Sequence, residues 1–117
     1  MENMIKIVKD KISINELQGM AEQMFGTLVK AVVDIEKEIM AVNGELHSDE
    51  EALLLSEGSA QKNLWGINIY PEMEGEDWIE FDSMINVRPS LGNTSRAVND
   101  PKTRKRILEV VNKLVEK

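Results

Sequence analysis

The feature that most constrains the fold of this sequence is a period-two pattern of apolar residues in two neighbouring segments, Leu64–Tyr70 and Trp78–Arg88. Successive side chains of a strand point to opposite faces, so a period of two residues predicts strands. In Trp78–Arg88 the alternation continues over eleven residues. The connector between the two segments, PEMEGED, therefore predicts a hairpin.

Three segments carry the start signals and apolar spacing of helices. Ser13–Glu16 and Ser48–Glu51 both read Ser-x-x-Glu, the capping-box pattern at a helix N-terminus. Asp100-Pro101 predicts the start of the last helix, because proline is tolerated in a first turn. The apolar stripe of that helix is Ile107, Val110, Val111 and Leu114.

Three further segments predict strands: Met4–Val8, Thr27–Ile35 and Ile39–Asn43. The resulting order is β-α-β-β-α-β-β-α, which predicts an α+β fold with an antiparallel sheet of about five strands and helices on one face. A chain of 117 residues has the length of one domain. We therefore expect residues 1–117 to form a single α+β domain, with residues 1–3 as a disordered extension.

Composition excludes several kinds of chemistry. The chain has no cysteine, which rules out disulfides and thiolate metal sites, and its formal net charge is −7. Its acidity disfavours nucleic acid as a partner. No apolar run is long enough for an export signal or a membrane helix, so we expect no membrane partner and a cytoplasmic location. No motif indicates a cofactor.

Four runs are distinctive: LVKAVVDIEK, GELHSDEEALLL, LWGINIYP and WIEFDSMINVRPSLGNTSR. They resemble those of a small family of uncharacterised prokaryotic proteins. The resemblance extends from about Met4 to Val115. It implies a free-standing cytosolic domain, but no substrate and no catalytic residue.

The segment Arg88–Arg96 is the best candidate for a ligand site. Two arginines enclose hydroxyl groups and a glycine, and these groups bind phosphate or carboxylate in proteins. Further cations crowd the first turns of the last helix, where the helix dipole disfavours them. The predicted ligand-binding residues are Arg88, Ser90, Asn93, Thr94, Ser95, Arg96 and Arg104.

These cations have two alternative partners. One is a small anionic ligand or an acidic protein surface. The other is the protein itself, because residues 36–82 hold 13 acidic and 2 basic side chains, whereas residues 96–117 hold 7 basic and 3 acidic ones. Pairing within the fold is the commoner outcome for such charges.

The single histidine, His47, defines a second candidate site. The sequence places it at the end of a strand, beside Glu45, and Asp82 on the outward face of a later strand is a further partner. An imidazole and carboxylates could serve acid/base chemistry or hold a hard divalent cation. The acidic residues after His47 are also explained by helix capping, and we assign no metal ligand.

Three functions remain open at this stage. The favoured one is a non-enzymatic binding or regulatory module with an anion-binding, arginine-flanked loop. The first alternative is a small acid/base or metal-assisted enzyme that uses His47. The second is a subunit of a homo-oligomer, joined through sheet edges or through a face that carries Trp78 and Met84.

Overall fold

The structure, a computed structural model, describes residues 4–117, so the predicted extension at residues 1–3 lies outside the described residues. The elements in chain order are β1 (Lys6–Val8), β2 (Ile12–Ser13), α1 (Ile14–Gln23), β3 (Val29–Asp34), β4 (Ile39–Val42), α2 (His47–Ser56), β5 (Leu64–Ile69), β6 (Ile79–Glu80), α3 (Pro101–Leu114) and β7 (Val115–Glu116). Short 3-10 turns lie between several of them. In this part of the chain no helix has the length and apolarity needed to cross a bilayer.

Five strands form one antiparallel sheet in the order β1-β4-β3-β5-β6. The central strand β3 pairs over its whole length with β5, from Val29 opposite Ile69 to Asp34 opposite Leu64. The α+β class and the antiparallel five-stranded sheet are therefore confirmed. A second, two-stranded sheet joins β2 to β7 in parallel, and the sequence did not predict it.

The sheet is covered on both faces. Helices α1 and α3 pack on one face and form the larger core with Ala31 and Val33 of β3. Helix α2 packs on the other face, where Leu54 meets Val32 and Leu64. The helices thus divide between two faces rather than gather on one as the sequence suggested, because the central strands are buried on both sides.

Two predicted helix starts are confirmed and one is wrong. The Ser13 hydroxyl accepts a hydrogen bond from the Glu16 amide at 3.1 Å, and Asp100 accepts one from the Lys102 amide at 3.1 Å. Helix α2, by contrast, begins at His47, its N-cap is Leu46, and no side chain caps it. His47 therefore lies in a helix and not at the end of a strand.

The prediction of one eleven-residue strand over Trp78–Arg88 is correct only for its first residues and wrong for the rest. Only Ile79–Glu80 pairs with β5, and the chain then turns in a 3-10 helix at Met84–Asn86. The side chain of Asn86 takes the place of the missing strand. The Gly66 amide donates to Asn86 Oδ1 at 2.8 Å, and Asn86 Nδ2 donates to the Gly66 carbonyl at 3.0 Å.

We expect Asn86→Ala to lower the free energy of unfolding by about 3 kcal/mol. It would leave the amide and carbonyl of Gly66 without partners in the interior, and each buried unsatisfied group costs roughly 1–3 kcal/mol. Urea unfolding followed by tryptophan fluorescence measures the change. Asn112→Ala, on the exposed side of α3, is the matched control and should change stability by less than about 0.5 kcal/mol. Equal losses in the two variants would contradict this role.

Candidate functional site

The predicted anion loop, residues 88–96, is closed by its own hydrogen bonds. The Arg88 amide donates to the Asn93 carbonyl at 2.7 Å, and the Asn93 amide donates back to the Arg88 carbonyl at 3.1 Å. The Leu91 and Gly92 amides donate to the carbonyls of Arg88 and Pro89, each at 2.9 Å. These four backbone amides are therefore already bonded and do not form an anion cradle.

Arg88 is directed into the protein. Its guanidinium donates to Glu51 Oε2 at 2.8 Å and to the Leu64 carbonyl, and it lies 5.2 Å from the ring centre of Trp65. The side chains of Arg88 and Glu51 are only 10% and 13% exposed. Arg88 therefore ties the loop to α2 and β5.

The remaining polar residues of the loop divide into buried and exposed ones. Asn93 is buried, and its Nδ2 donates to the carbonyls of Asn86, Ser95 and Ala97. The Ser95 hydroxyl donates to Asn99 Oδ1 at 2.9 Å. Ser90 and Thr94 are exposed. The structure therefore does not bring the predicted ligand-binding residues together around one point.

The cations of α3 also divide into two groups. Arg106 donates to Glu38 Oε2 at 2.6 Å, and Lys113 bonds the other oxygen of the same carboxylate. These bonds, with Lys113 making the largest contribution, lower the pKa of Glu38 to about 2. Within residues 4–117, Lys102, Arg104 and Lys105 have no carboxylate partner within 4.0 Å. Arg104, a predicted ligand residue, therefore keeps its charge free of an ion pair within residues 4–117.

One predicted ligand residue, Arg96, does line a cavity. This cavity has a volume of about 260 Å³ and lies at the N-terminus of α2. Residues of β3, of α2, of the turn after Asp82 and of the loop before α3 meet there. Its lining is Lys30, Leu46, His47, Ser48, Ser83, Met84, Ile85 and Arg96. We refer to it below as the α2 cavity.

Two cations border the α2 cavity. Arg96 donates through Nε to Asp82 Oδ1 at 2.6 Å and is half exposed, so its other N–H groups remain available. Lys30 has no carboxylate within 4.0 Å in the described part of the chain, and its Nζ lies 5.0 Å from the ring centre of Phe25. Sequence reasoning missed Lys30, because a lone lysine in a β-branched run carries no local signal.

The start of α2 adds partial positive charge to the same cavity. The first amides of a helix have no intrahelical acceptor, and the aligned backbone dipoles favour anions there. At α2 the N-cap residue Leu46 offers no side-chain acceptor. The amides of Asp49 and Glu50 already donate to the Leu46 carbonyl, at 3.1 and 3.4 Å, so in the described part of the chain the amides of His47 and Ser48 are the ones left for a ligand. Free amides in the first turn of a helix bind phosphate and carboxylate groups in other proteins.

His47, the first residue of α2, is only 9% exposed. Its Nε2 lies 2.8 Å from the Ile67 carbonyl oxygen. A carbonyl can only accept a hydrogen bond, so Nε2 carries the hydrogen. Burial is the main cause that lowers the pKa of His47, which favours the neutral imidazole at neutral pH.

Glu50, one turn into α2, is fully buried on the same side of the sheet. The Gly44 amide donates to its Oε2 at 2.8 Å, while its Oε1 has no partner among residues 4–117. Burial raises the pKa of Glu50 well above its usual range, which favours the protonated carboxyl group. A Cβ on Gly44 would lie 2.7 Å from Glu50 Cγ, which explains the glycine at that position.

The predicted catalytic residues are not arranged as one constellation. Glu45 is exposed and lies before α2 rather than on a strand face with His47. Asp82 pairs with Arg96 and acts on His47 electrostatically, raising its pKa slightly against the effect of burial. Among residues 4–117 no three His, Asp or Glu side chains come together in a way that could hold a metal ion.

The two residues of the predicted oligomer face lie in different environments. Trp78 is buried in the larger core, and Lys117 Nζ lies 3.6 Å from its ring centre. Met84 is 64% exposed at the rim of the α2 cavity. They do not form a common surface, because Trp78 precedes the paired residues of β6 and Met84 follows the point where the chain leaves the sheet.

A second cavity, of about 160 Å³, lies at the C-terminal end of α1. Its walls include Ala21, Tyr70 and Met73, and its charged lining residues are Glu22 and Glu72. No lysine or arginine lines it, and the C-terminus of a helix carries partial negative charge. This cavity is therefore unsuited to an anion.

Comparison with known proteins gives one match. Residues 6–114 match a family described as proteins of unknown function (DUF5674). The match confirms the resemblance to an uncharacterised family. No curated protein and no solved structure matches the chain. Any function must therefore be argued from the residues themselves.

We expect Arg88→Met to lower the free energy of unfolding by about 3 kcal/mol. Removing one partner leaves the nearly buried Glu51 carboxylate unpaired and frees the Leu64 carbonyl. Chemical denaturation measures the loss. The matched control is Arg104→Met, which removes the same charge at a position with no carboxylate within 4.0 Å in the described chain. It should lower the free energy of unfolding by less than about 0.5 kcal/mol. A stable Arg88→Met variant would contradict the structural role of Arg88.

We expect Glu38→Gln to weaken the acid sensitivity of the protein. The folded-state pKa of Glu38 lies below its ordinary value of 4.5, so its stabilising contribution is complete above pH 4.5 and is lost as pH falls towards 2. Melting temperatures measured across this range should fall less in the variant than in the wild type. The control is Glu57→Gln, an exposed residue for which residues 4–117 provide no ion pair. It should follow the wild-type curve.

Proposed function

We propose that this chain, which belongs to that family of proteins of unknown function, is a non-enzymatic binding module that captures a small anion in the α2 cavity. The observation that carries the proposal is the convergence of Lys30, Arg96 and the uncapped N-terminus of α2 on one cavity of about 260 Å³. Each of these three groups favours negative charge. The volume is sufficient for a phosphate or a small carboxylate.

Two carboxyl groups near the α2 cavity oppose an anion only weakly. Burial raises the pKa of Glu50 well above its usual range, which favours its uncharged form. Asp82 is paired with Arg96 at 2.6 Å. The ammonium group of Lys30 has no carboxylate within 4.0 Å in the described residues, so its charge is available to a ligand. The exposed carboxylate of Asp49, in the first turn of α2, does oppose an anion, so attraction must come from direct contacts inside the cavity.

Hydroxyl groups complete the donor set of the site. Ser48 is exposed in the first turn of α2, and Ser83, which also lines the cavity, is only 1% exposed. The Ser83 oxygen accepts from the Ile85 amide at 3.2 Å, which leaves its hydrogen free to donate. The predicted arginine-flanked loop contributes to this site through Arg96. Its other arginine, Arg88, supports the fold.

A second candidate function, a small acid/base enzyme, is favoured by the neutral imidazole of His47 at the cavity wall. A neutral imidazole in a cleft is the usual general base of proteins. In such an enzyme Asp82 would be a positioning residue acting through Arg96 and the local field. A binding module shows saturable ligand binding without turnover, so product analysis by NMR on any bound ligand distinguishes the two functions.

The proposal includes two expectations drawn from the sequence. We treat residues 1–117 as one domain in the cytoplasm, where small phosphorylated and carboxylated compounds are available as ligands. A homo-oligomer is compatible with the α2 cavity. Light scattering at two protein concentrations tests this assembly independently of ligand binding.

We expect inorganic phosphate to raise the melting temperature of the wild-type protein by about 5 °C at ten times its Kd. Lys30→Met and Arg96→Gln should each lose most of this shift, because each removes a cation from the cavity. The matched control is Lys102→Met on α3, an exposed lysine outside the cavity lining. It should retain the full shift. Differential scanning fluorimetry at constant ionic strength measures all four proteins.

Two results would contradict the proposal. One is the absence of a saturable shift with phosphate or with small carboxylates. The other is an equal reduction in Lys30→Met and Lys102→Met, which would indicate a general charge effect. Retention of the shift in Lys102→Met and its loss in Lys30→Met would locate the anion at the α2 cavity.

A further inference from the structure

We infer that the α2 cavity selects an oxyanion that carries its own hydroxyl group, such as hydrogen phosphate, because Nδ1 of His47 presents a hydrogen-bond acceptor to the ligand. This inference rests on the proposed function and specifies the chemical class of its ligand. A bare oxyanion of the same size and charge, such as sulfate, cannot satisfy that acceptor.

The tautomer of His47 is fixed by its inner contact. Nε2 donates to the Ile67 carbonyl at 2.8 Å and therefore holds the hydrogen of the neutral ring. The second nitrogen, Nδ1, is then an acceptor with a free lone pair. Protonation at Nδ1 would place a charge in a ring that is 9% exposed, and the nearby cations Lys30 and Arg96 further oppose it.

Nδ1 is open to the cavity. Within residues 4–117 it has no hydrogen-bond partner, yet it is not one of the buried atoms without a partner. It is therefore accessible to solvent. His47 lines the α2 cavity, and its Nε2 edge is turned to the sheet, so the accessible Nδ1 edge faces the cavity.

The other groups around the cavity supply hydrogen-bond donors. Lys30, Arg96 and the first amides of α2 can only donate, and the hydroxyl of Ser83 is directed to donate because its oxygen accepts from Ile85. An anion with acceptor oxygens satisfies all of them. Only Nδ1 of His47 requires a donor from the ligand. Nδ1 is open to water in the free protein, and a ligand that fills the cavity removes that water. A ligand without a donor then leaves Nδ1 unpaired, and an unpaired buried acceptor is costly.

The carboxylate of Asp82 raises the pKa of His47, because its negative charge favours the protonated imidazole. Its bond to Arg96 at 2.6 Å reduces this effect. Burial raises the pKa of Glu50 and favours its uncharged form, and Glu50 is not among the groups that shift the pKa of His47. Burial and the two cations outweigh Asp82, so the ring remains an acceptor at neutral pH.

The test compares ligands that differ by one hydroxyl hydrogen. Slightly above neutral pH, hydrogen phosphate and sulfate are both dianions of nearly equal size. Isothermal titration calorimetry of the wild-type protein should give a Kd about tenfold lower for phosphate than for sulfate. Glycolate against acetate is a second pair of the same design, and it distinguishes a hydroxy acid from a phosphate as the better source of the hydroxyl group.

His47→Leu removes the acceptor without introducing another acceptor or a charge. It also leaves the Ile67 carbonyl without this partner, which lowers stability, but phosphate and sulfate are compared on the same variant. We expect the variant to bind sulfate within about twofold of wild type and to lose its preference for phosphate. Met84→Gln, at the exposed rim of the same cavity, is the matched control and should keep the preference.

A spectroscopic measurement keeps the test decisive if His47→Leu fails to fold. His47 is the only histidine in the chain, so a sample labelled with 15N-histidine gives one pair of ring nitrogen signals. Without ligand we expect the Nε2–H tautomer. Phosphate should shift the Nδ1 signal as it accepts a hydrogen bond, whereas sulfate should leave it in place.

The outcomes separate this inference from the proposed function. If neither anion binds, both fail. If phosphate and sulfate bind equally, or if both leave the Nδ1 signal unchanged, the inference is overturned while anion binding at the α2 cavity stands. A preference for phosphate that survives His47→Leu would overturn the role of Nδ1 and assign the selection to another group.

Discussion

The position of the α2 cavity depends on how the outer edge of β5 is satisfied. Beyond its short pairing with β6, this edge is bonded by side chains: Asn86 bonds both backbone groups of Gly66, and Arg88 bonds the Leu64 carbonyl. These side-chain bonds occupy the positions where a longer β6 would pair with β5, and the chain therefore leaves the sheet after Glu80. Asn86 Nδ2 also donates to the Arg96 carbonyl at 2.9 Å. The edge of the sheet therefore determines where Arg96 lies.

Two buried polar side chains hold the start of α2 against the sheet. His47 bonds the Ile67 carbonyl, and Glu50 bonds the Gly44 amide. The apolar core beneath this helix is small, with four buried residues in the described chain, so these polar contacts help to fix its position. Buried polar groups specify one arrangement because any other leaves them unpaired. The same contacts orient the helix N-terminus and the imidazole towards one cavity.

Local signals predicted the parts of this structure that local contacts determine. Ser13 and Asp100 cap their helices through amides two or three residues away, and such short distances can be read from a sequence. The alternation in Trp78–Arg88 predicted a strand because periodicity cannot show whether a partner strand exists. The role of Arg88 depends on Glu51, 37 residues away, and no sequence pattern links them. His47 was identified as a candidate, but the sequence placed it on a strand, whereas it is the first residue of α2. The cause is the Ser-x-x-Glu pattern at Ser48, which suggested a helix cap that α2 does not use.

The acidity of the chain bears on what the α2 cavity can recognise. A protein with a net charge of −7 repels anions at long range, and salt screens this field beyond about 8 Å at physiological ionic strength. Attraction must therefore arise from short contacts, within a region where burial favours the uncharged form of Glu50 and where Asp82 is paired with Arg96. Short contacts are also the ones that distinguish ligands by shape and by hydrogen-bonding pattern. A small positive cavity in an acidic protein is thus better suited to discriminate among small anions than to attract large polyanions, whose other charges would meet the surrounding carboxylates.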